Sequence, residues 1–122
     1  MCSPKRVLWI SRHTMTAAQR ADLERVMGGA VELTPWTDTV EDVRSLLPQI
    51  ARTDAVAAVL PLEKLAGLIE LAGETPVLVA RAGRVPTGRT VVLPDGRREK
   101  EFAFEHRGWR QILEVTIRER EL

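Results

Sequence analysis

Residues 11–14 form a polar segment between an apolar run and a helical pattern, so they join a first strand to a first helix. The Arg12 guanidinium can hold a phosphate through paired hydrogen bonds, and the His13 imidazole can give or take a proton near neutral pH. Ser11 suits a ligand-binding hydroxyl better than a nucleophile, because no Gly-x-Ser-x-Gly turn surrounds it. The segment predicts a site for an anionic ligand, although His13 could instead be a helix-entry residue that bonds only to backbone.

Further polar residues follow the other predicted strands and would share the same edge of the sheet, where ligands of open α/β sheets bind. Arg81 and Arg84 follow the fourth strand, which we expect to lie near the first, and they could grip a second phosphate. Trp36 follows the second strand and could stack on a base. The candidate ligand-binding residues are Thr14, Thr16, Trp36, Thr37, Asp38, Arg81 and Arg84. The alternatives are solvated loop arginines and, for Trp36, an apolar lid over the neighbouring helix.

The first strand and helix are well defined by the sequence. Residues 7–10 are apolar throughout, which is typical of a strand covered on both faces. Thr16 is a natural N-cap, and Gln19 completes a capping box. The helical pattern stops at Gly28 and Gly29, a typical C-terminal signal.

The following elements continue the alternation. A short strand over residues 30–33 precedes a second helix, which Asp38 or Thr39 can cap and which Pro48 would kink or break. A third strand in "DAVAAVLP", a helix in "LEKLAGLIELAG" and a fourth strand in "TPVLVARAG" come next. This order predicts an α/β fold, a Rossmann-like three-layer sandwich with a mainly parallel sheet.

The pattern changes beyond Arg84, where residues alternate with period two around "PDG", the turn chemistry of a hairpin. We expect residues 90–93 to pair with residues 101–105. Residues 109–120 fit either a helix or a strand, and their β-branched residues favour the strand. His106 is assigned a structural role. The chain of 122 residues is interpreted as one domain, with a βαβαβαβ core over 1–85 and the hairpin and terminal element over 86–122.

Composition and charge exclude several function classes. Eighteen basic and seventeen acidic residues give a net charge of +1, so no global field draws the protein to duplex DNA or to an anionic membrane. No apolar run is long enough to span a membrane. Cys2 is the only cysteine, which excludes an internal disulfide and favours a reducing, cytoplasmic location.

The usual cofactor signatures are missing. No Gly-x-Gly-x-x-Gly follows the first strand and no P-loop motif occurs, which argues against NAD and P-loop nucleotides. One cysteine and two distant histidines lack the spacing of a zinc site. Asp38 is the one carboxylate placed on the ligand edge, so a two-metal site is poorly supported. We therefore expect neither a cofactor nor a metal.

One short motif carries a family resemblance. A strand that ends in Ser-Arg-His and is followed by x-Met-Thr-x-x-Gln at the start of a helix resembles the small single-domain CRISPR-associated proteins of type III systems, which have a CARF-like Rossmann fold. The matching residues are Ser11, Arg12, His13, Met15, Thr16 and Gln19. Outside this motif, the resemblance rests on chain length and on the order of strands and helices.

The resemblance implies a ring nuclease, a homodimer that binds a cyclic oligoadenylate second messenger at its two-fold axis and cuts it without a metal. A ribose 2′-OH would attack its own 3′-phosphate, giving linear products that end in a 2′,3′-cyclic phosphate. Arg12 and Arg81 would hold the phosphorus oxygens, Ser11 and Thr14 would orient the phosphate, and His13 would be the general acid or base.

Two other functions fit the same residues. The chain could be a non-catalytic sensor that binds the same kind of ligand and signals to a partner. It could also be a small α/β protein-interaction domain, in which the residues of the first strand-to-helix junction serve only capping and packing.

Overall fold

The predicted α/β architecture is confirmed by a computed structural model, which describes residues 3–122; Cys2 lies outside the described residues. A five-stranded sheet carries helices on both faces. The elements in chain order are β1 (Lys5–Ile10), α1 (Ala17–Met27), β2 (Val31–Trp36), a 3-10 helix (Val43–Leu46) that runs into α2 (Leu47–Ile50), β3 (Ala55–Ala58), α3 (Leu62–Ala72), β4 (Val77–Val92) and β5 (Arg98–Gln111).

The strand order is β2-β1-β3-β4-β5. The first four strands pair in parallel, and β5 pairs antiparallel to β4. Because β2 lies on one side of β1 and β3 on the other, the chain changes direction across β1. Connections diverge to opposite faces at such a point, which leaves a crevice at the carboxyl ends of the strands.

β1 is buried on both faces, as its apolar sequence predicts. Leu8 and Ile10 pack into the core under α2 and α3, while Val7 and Trp9 pack into the core under α1. Burying an aliphatic side chain of this size contributes about 1.5 to 3 kcal/mol. The two cores fix β1 from both sides, so the residues that follow it start from a rigid strand.

The first helix begins and ends as predicted. The Thr16 hydroxyl accepts the Gln19 backbone N–H at 3.1 Å, and the Gln19 side chain accepts the Thr16 N–H at 2.9 Å, which completes the capping box. Gly28 follows the helix with φ +82°, a left-handed conformation that glycine adopts without strain.

The prediction for the second helix was wrong at its start. Asp42, and not Asp38 or Thr39, caps this segment, because its carboxylate accepts the Arg44 N–H at 2.9 Å. The helical pattern divides into the 3-10 helix and α2 just before Pro48, which lies in the first turn of α2, where a missing N–H costs little. β2 also extends through Pro35 and Trp36, which the sequence placed in a loop.

The predicted hairpin is present, but its register was wrong. Thr90 pairs with Lys100 and Val92 with Arg98, whereas Glu105 pairs with Gly83. The cause is the tight turn, in which the Leu93 N–H bonds to the Arg97 carbonyl at 2.8 Å. A turn this short brings the residues just after it, and not residues 101–105, opposite the end of β4.

The strand favoured for residues 109–120 continues only to Gln111. Ile112 donates its N–H to the Val77 carbonyl at 2.9 Å, and Ile112 and Val115 pack against the core. Residues 112–122 belong to neither a helix nor a strand. Within residues 3–122, no helix has the length and apolar character that a membrane span requires.

Candidate functional site

Two clefts flank the carboxyl end of β1, and Ser11 and Arg12 line both of them. The Lys64 cleft, of about 260 Å³, is lined by Ile10, Ser11, Arg12, Trp36, Asp38, Thr39, Val40, Val59, Leu60, Pro61 and Lys64. The His13 cleft, of about 330 Å³, is lined by Trp9, Ser11, Arg12, His13, Thr14, Met15, Arg20, Leu33, Pro35 and Thr37. The β1 end therefore divides one polar edge into two compartments.

A tight turn fixes the backbone at this junction. Ser11 is only 7% exposed, and its Oγ accepts the His13 N–H at 3.1 Å. The Trp9 indole donates to the His13 carbonyl at 2.8 Å. Because the Ser11 oxygen acts as acceptor in this turn, its own proton remains free to bond to a ligand.

Arg12 lies on the surface between the two clefts. Its Nη2 donates to the Thr39 hydroxyl at 2.6 Å. A hydroxyl is a neutral partner, so the guanidinium keeps its full charge, and its remaining N–H groups can bond to an anion.

The Lys64 cleft contains a cation that the sequence reasoning missed. Lys64 lies in the first turn of α3, and its Nζ donates to the Val40 carbonyl. A cation is unfavourable at the positive end of a helix dipole, and an anion bound beside it would offset that cost. The sequence could have indicated Lys64, because it lies in the first turn of the helix that follows β3, and ligands of such sheets bind at the carboxyl ends of the strands.

The Trp36 side chain lies between the Lys64 cleft and the core. Its indole Nε1 is buried and has no hydrogen-bond partner among the described residues. An indole N–H of this kind is a donor without an acceptor, and leaving it unsatisfied costs about 1 to 3 kcal/mol. Because this nitrogen is shielded from solvent, a ligand in the cleft would meet the rest of the Trp36 side chain and not this N–H.

The His13 cleft combines an apolar wall with two arginines. Trp9, Leu33 and Pro35 supply apolar surface. Arg20, which the sequence reasoning missed, donates through Nη2 to the Val31 carbonyl at 2.8 Å and lines the same cleft as Arg12. The hydrogen bonds that His13 makes among residues 3–122 run through its backbone, and its imidazole is exposed.

The structure brings together seven of the ten candidate site residues around the β1 end. Ser11 and Arg12 line both clefts, Trp36 and Asp38 line the Lys64 cleft, and His13, Thr14 and Thr37 line the His13 cleft. Thr16 is separate from them. Its hydroxyl is committed to the α1 cap, and it lines a third cleft beside Gln19 and His106.

The expectation that Arg81 and Arg84 lie near the first strand was wrong. β3 lies between β1 and β4, and neither arginine lines the two clefts. Arg84 instead stacks its guanidinium over the Phe102 ring, 4.3 Å from the ring centroid. These arginines belong to the β4–β5 hairpin.

His106 joins β5 to α1. Its Nε2 lies 2.9 Å from the Asp22 carboxylate, and the hydrogen bond to His106, followed by that to Arg25, lowers the pKa of Asp22 below its ordinary value. The Trp109 indole donates to the Gln19 carbonyl at 3.0 Å nearby. These contacts fix the root of the hairpin on the first helix.

Metal-binding side chains are not clustered in the described part of the chain. Residues 3–122 contain no group of three or more His, Cys, Asp or Glu side chains placed to hold a metal ion.

Comparisons with known proteins give little further information. No protein-family model matches the chain, and no curated protein matches it. Among solved structures, the chain is similar to a variant of HypX from Aquifex aeolicus, with a TM-score of 0.38 and 18% identity. The match covers 69% of this chain but only 15% of the HypX chain. A similarity of this size gives no information on what the chain binds.

Proposed function

We propose that this protein is a metal-independent ring nuclease that binds a cyclic oligoadenylate across the two clefts and cleaves it to linear products. The observation that supports the proposal is the position of Ser11 and Arg12, which line both clefts at the end of β1. A phosphate held at this junction would have one nucleoside on each side, in separate compartments. An oligonucleotide has that arrangement of groups.

The charges around the junction suit a polyanion. Arg12 is common to both clefts, Lys64 lies in one and Arg20 in the other. Asp38 in the Lys64 cleft is the one carboxylate among the lining residues of the two clefts. Local positive charge of this kind can hold phosphates in a chain whose net charge is only +1.

The bases would find apolar surface in both compartments. Trp36, Val59 and Pro61 line the Lys64 cleft, and Trp9, Leu33 and Pro35 line the His13 cleft. Stacking of a base on an aromatic side chain contributes about 1 to 3 kcal/mol.

The proposed reaction needs positioning and proton transfer from the protein. The ribose 2′-oxygen forms a bond to the adjacent phosphorus, the bond from phosphorus to the 5′-oxygen breaks, and a 2′,3′-cyclic phosphate results. The 2′-OH loses its proton and the 5′-oxygen gains one, with His13 as the group that gives or takes a proton. Arg12 and the Ser11 hydroxyl would stabilise the charge on the phosphorus oxygens. Arg20, in the same cleft as His13, replaces Arg81 in this assignment.

A ring of identical nucleotides can have two-fold symmetry, which a homodimer matches by presenting the same clefts twice. Each protomer would hold one part of the ring at its Ser11–Arg12 junction. The proposed partners are therefore the cyclic oligoadenylate and a second copy of the chain.

Incubation of the purified protein with cyclic tri-, tetra- and hexa-adenylate in EDTA tests the proposal. We expect one ring to be converted to a linear product with a 2′,3′-cyclic phosphate end, identified by mass spectrometry. Arg12→Ala should slow the conversion. Arg52→Ala is the matched control, because Arg52 is exposed just before β3, at the amino end of the strands. Absence of turnover with every ring would refute the nuclease.

A non-catalytic sensor is the second candidate. It is favoured by the exposed His13 imidazole, since no hydrogen bond from residues 3–122 orients that ring for proton transfer. The same experiment separates the two functions. A ring that raises the melting temperature without being cleaved would identify a sensor.

A further inference from the structure

The outer part of the β4–β5 hairpin is a two-stranded ribbon, which we call the arm and define as residues 84–92 and 98–104. β3 pairs with β4 only at Val77 and Leu78, so beyond these residues β4 has β5 as its one neighbour in the sheet. Side chains alternate between two faces along a strand, and residues paired across an antiparallel ribbon share a face. The pairing therefore sorts the side chains of the arm into two faces.

One face of the arm combines aromatic and basic side chains. Arg98, Lys100, Phe102 and Phe104 occupy alternate positions of β5 and so share this face. Arg84 of β4 joins them, because it pairs with Phe104 across the ribbon. Its guanidinium lies over the Phe102 ring, 4.3 Å from the ring centroid. We call these five residues the aromatic-basic face.

The glutamates of this part of β5 belong to the opposite face. Glu99, Glu101 and Glu105 occupy the intervening positions of the strand. Glu99 and Glu101 border the groove that also contains Phe102 and Phe104. The Glu101 carboxylate accepts a hydrogen bond from the Thr87 hydroxyl at 3.1 Å. The aromatic-basic face itself therefore carries three cations and no carboxylate.

The three cations of this face are available to an anionic partner. Arg84, Arg98 and Lys100 are exposed, and none of them forms an ion pair with a carboxylate of residues 3–122. Other arginines of the chain pair with aspartates at 3.0 Å or less. A cluster of unpaired cations attracts a polyanion locally, even where the net charge of the chain is only +1.

The aromatic side chains of this face point to the kind of polyanion. Phe104 is 79% exposed and Phe102 is 39% exposed. Exposed aromatic rings on a β-sheet are stacking platforms for unpaired bases, and an arginine guanidinium plane serves in the same way. Arg84 over Phe102 and the open Phe104 ring therefore offer two stacking surfaces. From Arg98 to Phe104 the strand extends about 20 Å, which is long enough to contact several nucleotides.

The aromatic-basic face continues to the start of the first helix. Phe104 lines the arm groove and also the third cleft, where Thr16 and Gln19 mark the first turn of α1. No acidic residue lies in that turn. The positive end of a helix dipole favours a phosphate. Glu105 is the one carboxylate that lines the third cleft.

We infer that the aromatic-basic face binds a single-stranded nucleic acid. Its phosphates contact Arg84, Arg98 and Lys100, and its bases stack on the Phe104 ring and on the Arg84 guanidinium. An acidic peptide would engage the cations but would leave the rings without planar partners. This surface goes beyond the proposed ring nuclease, because no residue of the arm lines either of the two clefts.

Fluorescence anisotropy of the full chain with labelled oligo-dT and oligo-U, each of about 12 nucleotides, tests the inference. We expect saturable binding of at least one of these strands at roughly 0.15 M salt. A duplex of the same length should bind at least about fivefold more weakly, because its bases are already stacked on each other. Oligo-glutamate of the same length should compete poorly with the bound strand.

Two variants separate the contribution of charge from that of stacking. Arg98→Gln/Lys100→Gln should weaken binding at least about tenfold and reduce the slope of log Kd against log salt by about 1.4. Phe104→Leu keeps an apolar side chain but removes the ring, and it should weaken binding at least about fivefold. Arg118→Gln/Arg120→Gln, in the exposed tail, is the control with a matched charge change and should alter the Kd less than about twofold.

These substitutions should leave the fold intact. Arg98 and Lys100 are exposed and pair across the ribbon with Val92 and Thr90, which are uncharged. Melting curves check each variant. If the double variant fails to fold, Lys100→Gln alone should still weaken binding and reduce the salt slope by about 0.7.

The inference would be overturned by the absence of saturable binding to both strands. Equal affinity of the wild type and the arm variants, or equal affinity for the duplex, would also overturn it. Oligo-glutamate that displaces the strand at equal concentration would identify a surface for acidic peptides instead. The probes contain no cyclic oligoadenylate, so a ring nuclease that binds neither strand would keep the proposed function and lose this surface. A chain that binds a strand through the arm and cleaves no ring would do the reverse.

Discussion

The Arg12 guanidinium donates to the Thr39 hydroxyl at 2.6 Å, which holds a cation at the point where the two clefts meet. Ser11 beside it is fixed by its own turn to His13. The junction is therefore built before any ligand arrives, and a preformed site loses little conformational entropy on binding.

Lys64→Gln should weaken ligand binding. Lys64 is a cation in the first turn of α3, within the cleft that also holds Trp36 and Arg12. Loss of a charged hydrogen bond to a phosphate reduces affinity roughly ten- to a hundredfold. Isothermal titration with the bound ring measures the change. An unchanged Kd would show that Lys64 does not contact the ligand. A melting curve of the variant without ligand checks that it is folded.

His13→Ala should lower the cleavage rate far more than it lowers binding. A positioned general acid or base contributes about 10²- to 10⁴-fold to the rate. Single-turnover cleavage and a separate binding titration distinguish the two effects, and Arg52→Ala, at the amino end of the strands, serves as the control. Equal single-turnover rates for the wild type and His13→Ala would remove His13 from the chemistry.

Thr16→Ala should destabilise the fold by about 1 kcal/mol through loss of the α1 cap. It should leave ligand affinity unchanged, since Thr16 lies outside both clefts. Thr37→Ala should instead weaken ligand binding and leave the free energy of unfolding unchanged, because Thr37 is exposed and lines the His13 cleft. Urea denaturation and a binding titration on both variants measure this contrast. A loss of ligand affinity in Thr16→Ala would contradict this prediction and show that the Thr16 hydroxyl contributes to ligand binding.

The contact between His106 and Asp22 predicts an acid-dependent stability. The pKa of Asp22 is lowered from 3.8 by hydrogen bonds to His106 and Arg25. A carboxyl whose pKa is lower in the folded state stabilises the protein above its unfolded pKa, and this stabilisation disappears as the pH falls through the folded pKa. Asp22→Asn should therefore lower the melting temperature at neutral pH, and its difference from the wild type should shrink below pH 3.8.

Melting temperatures of the wild type and Asp22→Asn between about pH 2 and pH 7 check this expectation. Glu41→Gln provides the control, since Glu41 is exposed. The melting temperatures of Asp22→Asn and the wild type could instead differ by the same amount at every pH. That result would show that the charge of Asp22 does not stabilise the contact between the hairpin and α1.

Local features of the fold could be predicted from sequence because short-range physics determines them. The apolar run at the first strand indicated burial on both faces, and Thr16 with Gln19 indicated the start of α1. The segment from Ser11 to Thr14 lies at the carboxyl edge because it directly follows a strand.

Features that depend on strand order could not be predicted in the same way. Arg81 and Arg84 follow the start of the fourth strand, but the sequence does not tell that β3 separates this strand from β1. Arg20 reaches the His13 cleft from α1, through a bond to the Val31 carbonyl that only the packed helix permits. The register of the hairpin depended on how tightly the chain turns between Leu93 and Arg97.

Isothermal titration of the full chain with cyclic tri-, tetra- and hexa-adenylate in EDTA tests most directly whether the end of β1 holds a cyclic oligoadenylate. We predict saturable binding of at least one ring, at least roughly tenfold weaker binding to Arg12→Ala, and unchanged binding to Arg52→Ala. No binding of any ring, or equal affinity in the wild type and Arg12→Ala, would contradict the account.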